Sequence, residues 1–550
     1  MLESSFLDKK LLSRDARIFL QKTARSVVEI QPNIDTVADI VVFLEVLGYT
    51  DKTAADNGFT DLFDLSRQLY DFIDFYVDPK KSRVVSQSSS LTAPTIRRRL
   101  SEALVMSFPW LGALAVLYVF GVSLWLAWGL PLSTVTALIS GVFLGILLTE
   151  GPANSFNRLF VFYYDQSNFS EAKRILKRSY YILGIILFGV TAGLYSFGLL
   201  SNIPNQLVLF SIVASATIST HRISYIPVYG LKKLRQMFLS YAFAFAALLS
   251  VFFLLPNLIP DTTTRYLVAL VAAVGVLSIA PIYYNYRIFS TTSHSSEKVL
   301  RSQSLNPVLM YDNTIKSRFG VQLWETMHYY LYGTLFFAIL FGDRVLSWIF
   351  NPIHTASGIA LPMVFNAAYH IGADPALLVL LPATIIQYVI MAPIFFQLAK
   401  ETSLKVTEAT RIDDFLRQRY KLLVTLSLIA STLVAAILIA FAPTIVSRLG
   451  GAEISVNIMR IAAVSNILIS LFAANGIFIL FMNRVKSLVI IAIVGISILG
   501  VAGVLLGSQF GFQNIVFAYF ATAATIAILS SISVRKILKL GGSLFFSKYV

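Results

Sequence analysis

The chain contains no cysteine in its 550 residues. Disulfides, thiolate metal sites and thiol catalysis are therefore excluded. Histidine is nearly as scarce, with 5 residues, which argues against a multi-histidine metal site. Charged residues make up only 13% of the chain. The phosphate-cradling pattern G-x-x-x-x-G-K-[ST] is absent, so the chain is not its own ATPase. There is no G-x-G-x-x-G ahead of a helix and no H-E-x-x-H. No cofactor, no metal and no catalytic residue is expected, and the reading is of a protein that is not an enzyme. The start, "MLESSFLDKKLLSRDARIFL", lacks the basic, apolar, small-residue order of a cleavable signal, so the N-terminus is expected to stay on the side where it is made.

What the chain does hold is apolar surface. Hydrophobic residues account for 56%, more than a soluble domain of this length can hide, so most of it is expected in lipid. The net charge of +15 raises the question of a nucleic-acid partner. Residues 1–100 carry 14 Lys+Arg and 14 Asp+Glu, so 30 of the 44 basic and 15 of the 29 acidic residues lie beyond them. The whole excess thus sits in the apolar region, where loop charge sets membrane orientation. No nucleic-acid partner is expected.

Residues 1–78 read as a small, soluble, helical domain on the cytoplasmic side. "IDTVADIVVFLEVLG" has apolar residues at helical spacing, with Asp35 as a cap and Gly48 as a stop. A second amphipathic stretch carries Phe63, Tyr70, Phe72 and Phe75, read as core rather than binding surface. Residues 79–99 form a basic, Ser-rich linker whose Arg97, Arg98 and Arg99 are expected to meet lipid headgroups.

From residue 104 the chain becomes a series of apolar runs. A span needs about 20 mostly apolar residues, and about twelve such runs occur, the first near 104–127 and the last near 514–533. The loops alternate in charge. Arg158, Lys173, Arg174, Lys177 and Arg178 follow the second run, and Lys232, Lys233 and Arg235 the fourth. Arg287, Lys298, Arg301, Lys316 and Arg318 follow the sixth, and Lys400, Lys405, Arg411, Arg417 and Arg419 the eighth. Arg484 and Lys486 follow the tenth, and Arg535, Lys536, Lys539 and Lys548 the twelfth. The intervening loops hold only Arg265, Arg344 and Arg448. This pattern predicts an all-α polytopic membrane protein with both termini cytoplasmic. It divides evenly into a six-helix bundle at 100–286, a cytoplasmic linker at 287–322 and a second bundle with the C-terminal tail at 323–550. Two halves that both start inside suggest parallel bundles around a central path, although no repeat is visible in the letters.

Polar residues at the spans supply the site candidates, because ionisable groups in lipid face a cavity or a partner. Glu325 and His328 lie on one helix face in "VQLWETMHYYLYGTLF", followed by Tyr332. They form either a polar, aromatic stripe along the path or an interfacial helix start anchored by Trp324. Asn157 and Arg158 sit in "EGPANSFNRLFVFYYDQ", where Pro152 suggests a kink. Arg158 is either a vestibule residue for an anionic lipid phosphate or a positive-inside charge. Arg222, beside His221, is read as snorkelling to the cytoplasmic face. Asn466, Asn475 and Asn483 are expected to hydrogen-bond between helices. Asp343 and Arg344 read as a local charge pair or a gate contact at the outer boundary. In "NAAYHIGADPALLVLL", Asp374 followed by Pro375 reads as a structural N-cap and first helical position. His370 then falls in the preceding loop, need not share a face with Asp374, and is a candidate for contact with emerging substrate at the exit side of the path.

The segments "FAPTIVSRLGGAE", "IAAVSNILISLFAANGIFILFMNRVKSL" and "LLGSQFGFQNIVFAYFATA" resemble the closing helices of polysaccharide flippases of the multidrug/oligosaccharidyl-lipid/polysaccharide (MOP) exporter superfamily. "GDRVLSWIF" and "NAAYHIGADPALLVLLPATIIQYVIMAPIFF" resemble more particularly the Pel exopolysaccharide transporter family, PelG. The resemblance implies two six-helix bundles around a cavity lined by the first, second, seventh and eighth helices. It implies export or flipping of a polysaccharide or lipid-linked glycan across the plasma (inner) membrane, by alternating access or polymer threading. It supplies no functional residue that matches position by position.

Two other readings compete. A small-molecule antiporter of the same fold predicts an acid deep in the membrane, whereas the acids here cluster at the ends of the apolar runs. A membrane scaffold that recruits a cytoplasmic glycosyltransferase predicts a closed, apolar centre. Membrane lipid and the glycan are the expected partners, with a glycosyltransferase docking on residues 1–78.

Overall fold

A computed structural model describes residues 19–20, 23–24, 27, 37–46, 49–76, 93–124, 127, 129–165, 169–302, 319–352, 363–391 and 409–546. Asp35, Gly48, Lys316, Arg318, Lys400, Lys405, Lys548 and most of the 79–99 linker lie outside them. The chain forms two compact units, one with the N-terminal helices and one with the bulk of the apolar helices.

In the first unit, α1 (Val37–Val46), α2 (Asp51–Asp56) and α3 (Leu62–Tyr76) enclose Ile40, Leu44, Phe59, Leu65 and Leu69. Burying each such side chain stabilises the fold by about 2 kcal/mol. Thr50 caps α2 through a reciprocal bond with Thr53. Phe63 stands exposed rather than in this core, because the buried face of α3 is set by Leu62, Leu65 and Leu69.

The second unit is built on twelve helices long and apolar enough to cross a membrane, counted among the described residues. The first six are Ile96–Phe120, Leu132–Tyr164, Ser170–Leu200, Asn205–Gly230, Leu234–Leu254 and Thr262–Tyr283. The second six are Gly320–Ile349, Ala367–Met391, Asp414–Arg448, Glu453–Phe481, Val485–Phe510 and Phe512–Lys539. They match the expected apolar runs in number and order. The second helix continues through Pro152.

Lipid tails are as apolar as leucine, so spans gain little from hydrophobicity against one another. They associate through close packing and hydrogen bonds. Several contacts repeat with a step of six helices. The second span packs on the fourth, and the eighth on the tenth. The fifth and sixth pack together, as do the eleventh and twelfth. The first meets the fifth through Phe108 on Phe238 and Phe245, and the seventh packs on the eleventh.

The repeat extends to individual atoms. Ser211 Oγ donates to Ala137 O at 2.7 Å, and Ser455 Oγ donates to Ala368 O at 2.7 Å. Four residues beyond each acceptor stands a glycine, Gly141 or Gly372, pressed on the backbone carbonyl of the same serine. A Cβ on Gly372 would stand 2.5 Å from Ser455 O, and one on Gly141 would overlap Ser211 O. An Ala-x-x-x-Gly face therefore meets a serine in both halves. By this register Ile139 is the counterpart of His370, and Phe143 the counterpart of Asp374.

Candidate functional site

The extensive packing between the two halves lies along one seam, formed by the second and seventh spans running antiparallel. At one end of it Phe365 N donates to Thr136 Oγ1 at 2.9 Å. Val135, Ile139, Trp348 and Phe365 form a common apolar cluster there. Phe143 stacks on Phe341 and on Trp348, with ring centroids 4.7 and 5.4 Å apart. Midway, Gly151 lies against the Tyr330 carbonyl and Gly333 against Asn154. Toward the other end Ser155 Oγ donates to Thr326 O at 3.2 Å. Gln322 closes that end, donating to Tyr163 OH at 3.1 Å and accepting from Arg178 at 2.7 Å. The first and eighth spans meet where Tyr388 OH donates to Glu102 Oε2 at 3.0 Å.

The most concentrated chemistry lies beside the Thr136–Phe365 end of this seam. Asp343 is 0% exposed and Arg344 1%, in a segment that crosses the membrane. A buried charge in such a place needs full compensation. Arg344 Nη1 donates to Asp343 Oδ1 at 2.8 Å and to Leu340 O at 2.9 Å. Its Nη2 donates to Ala373 O at 3.0 Å, and its Nε to Asp374 Oδ1 at 2.8 Å. Tyr369 OH donates to the other Asp343 oxygen at 2.8 Å. The second Asp374 oxygen takes His370 Nδ1 at 2.8 Å, and Trp348 Nε1 donates to His370 Nε2 at 2.9 Å. An indole N–H can only donate, so Nε2 carries the lone pair, and the ring holds its single proton on Nδ1 toward Asp374. The imidazole also stacks on Phe365 at 4.3 Å. Asp374 is the least buried member, with its side chain 45% exposed, and its field reaches Tyr118 of the first span.

This arrangement corrects the expected roles of Asp374 and His370. The helix begins at Asn366, whose side chain accepts from Tyr369 N at 3.1 Å. Asp374 therefore lies inside the helix and caps nothing. His370 is helical and buried rather than in a loop, and its four-residue spacing from Asp374 puts both on one face. Pro375, which lacks an N–H, stands near the helix's end, and the chain passes into a 3-10 turn at Leu377–Val379.

The other candidates lie elsewhere. Glu325 is exposed beside Trp324, which is 75% exposed, and His328 is half-buried. Tyr332 turns into the second half against Gly476 and Phe472. Arg158 stacks over the Tyr329 ring, 4.0 Å from its centroid, and Tyr329 OH donates to Asn483 Oδ1 at 2.7 Å. Asn157 lies against Gly230. Arg222 does not snorkel freely. It pairs with Glu150 and lies 5.7 Å from the Phe337 ring of the seventh span. Asn466 and Asn475 hydrogen-bond between helices as expected, to Ala376 O at 2.8 Å and to Ser530 at 2.9 Å.

The cluster was hidden in the sequence because Arg344 and Asp374 are thirty positions apart. The usable signal was "GDR" near the end of an apolar run. Among the described residues, no group of three or more acids and histidines is placed to hold a metal ion.

No family model matches the chain, and no curated protein matches it in sequence. Solved structures match its fold. A MATE in the bent conformation is 12% identical, with a TM-score of 0.56, over 85% of this chain and 99% of that one. The inward-facing conformation of a multidrug resistance MATE family transporter of the MOP superfamily is 14% identical, with a TM-score of 0.51, over 80% of this chain and 98% of that one. An outward-facing conformation of such a transporter is 12% identical, with a TM-score of 0.53, over 80% and 96%. The fold is thus that of MATE-like transporters, at an identity that speaks to fold alone.

Proposed function

We propose that this protein is a multi-pass transporter of the plasma (inner) membrane, with both termini cytoplasmic, that exports or flips a polysaccharide or lipid-linked glycan by alternating access. The observation that carries the transport reading is the seam. Two six-helix halves that share several internal contacts join along one antiparallel pair of spans, the arrangement that lets halves rock about a central path. Solved structures of this fold are described in both inward-facing and outward-facing conformations. The glycan is supported by the sequence resemblance to polysaccharide flippases and to the Pel exopolysaccharide transporter family.

A small-molecule antiporter remains the second reading, and one observation favours it. Glu150 and Asp343 are buried acids within helical spans, deeper than the apolar runs suggested. A deletion strain separates the two. Loss of surface or secreted glycan supports the first reading, whereas normal glycan with altered drug tolerance supports the second. A glycosyltransferase bound to the N-terminal unit is a further part of the proposal. A pull-down from the intact transporter and from one lacking residues 1–78 tests it, and identical partners in both would oppose it.

A further inference from the structure

We propose that His370 Nε2 is a proton-binding site whose occupation releases Trp348 and loosens the Thr136–Phe365 end of the seam between the two halves. The inference rests on the transporter reading above only for its consequence in transport.

The charges of the cluster do not balance. Asp343 and Asp374 contribute two negative charges and Arg344 one positive charge, while the Trp348 bond holds His370 in its neutral form. The group therefore carries a net negative charge beside a membrane-spanning seam, which low dielectric makes unfavourable. A proton on Nε2 would bring the cluster to neutrality and strengthen the bond from Nδ1 to Asp374.

The same proton would place two N–H donors face to face, at a separation of 2.9 Å between Trp348 Nε1 and His370 Nε2. Charge balance thus favours the proton and the indole bond opposes it. Two arrangements follow, one latched with neutral His370 and one released with the imidazolium.

The latch reaches across the halves. Trp348 stacks on Phe143 of the second span with an interplanar angle of 12°. Phe143 also faces the His370 ring at 6.4 Å. A shift of the indole therefore disturbs a contact between halves. The register repeat underlines the asymmetry, because Ile139 and Phe143 occupy in the first half the places of His370 and Asp374 in the second. One half offers a titratable pair and the other an apolar one.

Several elements surround the imidazole. The seventh span presents Asp343, Arg344 and Trp348, and the eighth presents Asp374 and Tyr369. The first presents Tyr118 within the field of Asp374, and the twelfth Tyr519 within that of Arg344. The second presents Ile139 and Phe143, and the tenth meets the eighth through Ser455 and Asn466, none of which titrates. Histidine is the side chain among these that ordinarily changes charge between about pH 5 and 8.

The absence of cysteine makes the test direct. Spin labels on Ser133→Cys and Ile349→Cys report the Thr136–Phe365 end of the second and seventh spans in the full-length protein in lipid nanodiscs. On acidification from about pH 8 to about pH 5, the distance between labels should lengthen by at least about 2 Å. His370→Gln keeps an acceptor for Trp348 but cannot bind the proton, and should hold the short distance throughout. Trp348→Phe keeps the ring stack and removes the donor, so its distance should also lose the pH step, and it carries the test should His370→Gln fail to fold. A pH-insensitive distance in the parent protein, or an unchanged step in either variant, would overturn the proposal. No substrate is needed, so this failure is distinct from failure of the glycan reading.

Discussion

Arg344 donates through Nε to Asp374 at 2.8 Å while its Nη1 holds Asp343, its chain neighbour, at the same distance. One guanidinium thus ties the seventh span to the eighth and hydrogen-bonds two carboxylates, one of them fully buried. Removing one partner of a buried pair leaves an uncompensated charge, at a cost of about 3–5 kcal/mol. Arg344→Met should therefore lower thermal stability in detergent by an amount of that order. Arg344→Lys should rescue it only partly, because an ammonium cannot reproduce the fork that binds Asp343, Asp374 and the Ala373 carbonyl together.

The start of the eighth span gives a sharper distinction. Asn366 is the cap and also donates to Ser347 O at 3.3 Å, so Asn366→Ala should cost about 1–2 kcal/mol. Asp374→Asn should be at least as damaging as Asn366→Ala, because the amide removes the charge that faces Arg344 and His370. Were Asp374 a cap, Asn would substitute for it at little cost. Denaturation of the purified variants, read as loss of helicity, compares them.

The paired Ala-x-x-x-Gly contacts predict parallel outcomes in the two halves. Gly141→Ala and Gly372→Ala each add a methyl group against a serine carbonyl and should destabilise by about 1–3 kcal/mol. Gly184, whose added Cβ would meet nothing, is the control, and Gly184→Ala should be neutral or slightly stabilising. Thermal unfolding of the three variants side by side checks the ranking.

Outside the spans, Asp261 supplies a pH-dependent element. Its carboxylate accepts from the Thr264 hydroxyl at 2.6 Å and the Thr264 backbone N–H at 2.8 Å. These bonds, the hydroxyl first, hold its pKa below the usual carboxylate value. The stabilisation is then complete above the ordinary carboxylate pKa and is lost as pH falls through the lowered one. Asp261→Asn should flatten that acid limb of the stability profile without changing the neutral-pH fold.

Much of the fold was legible because lipid imposes long apolar runs. Ser170–Leu200 and Val485–Phe510 could be found from length and hydropathy alone. The eighth span shows where such reading stops. Its first two turns carry Asn366, His370 and Asp374, whose polarity delays the apolar run until Leu377, so Asp374-Pro375 looked like a helix start. The burial of those polar groups depends on Arg344 and Trp348, contributed by another helix, and no local pattern announces that. The repeat was invisible for a related reason. Close packing needs only small residues at a few places, here Ala137, Gly141 and Ser211 against Ala368, Gly372 and Ser455, and leaves the remaining letters free to diverge.

Alternating access, as proposed, requires the facing ends of the first and eighth spans to separate during the transport cycle. They meet through Glu102 and Tyr388, and the cysteine-free chain allows that contact to be locked at will. Glu102→Cys with Tyr388→Cys, joined in cells by a reducible bifunctional thiol reagent, is the most direct measurement. Export of surface or secreted glycan should fall to the level of a deletion strain on cross-linking and return on reduction. Undiminished export with the cross-link complete would contradict the account.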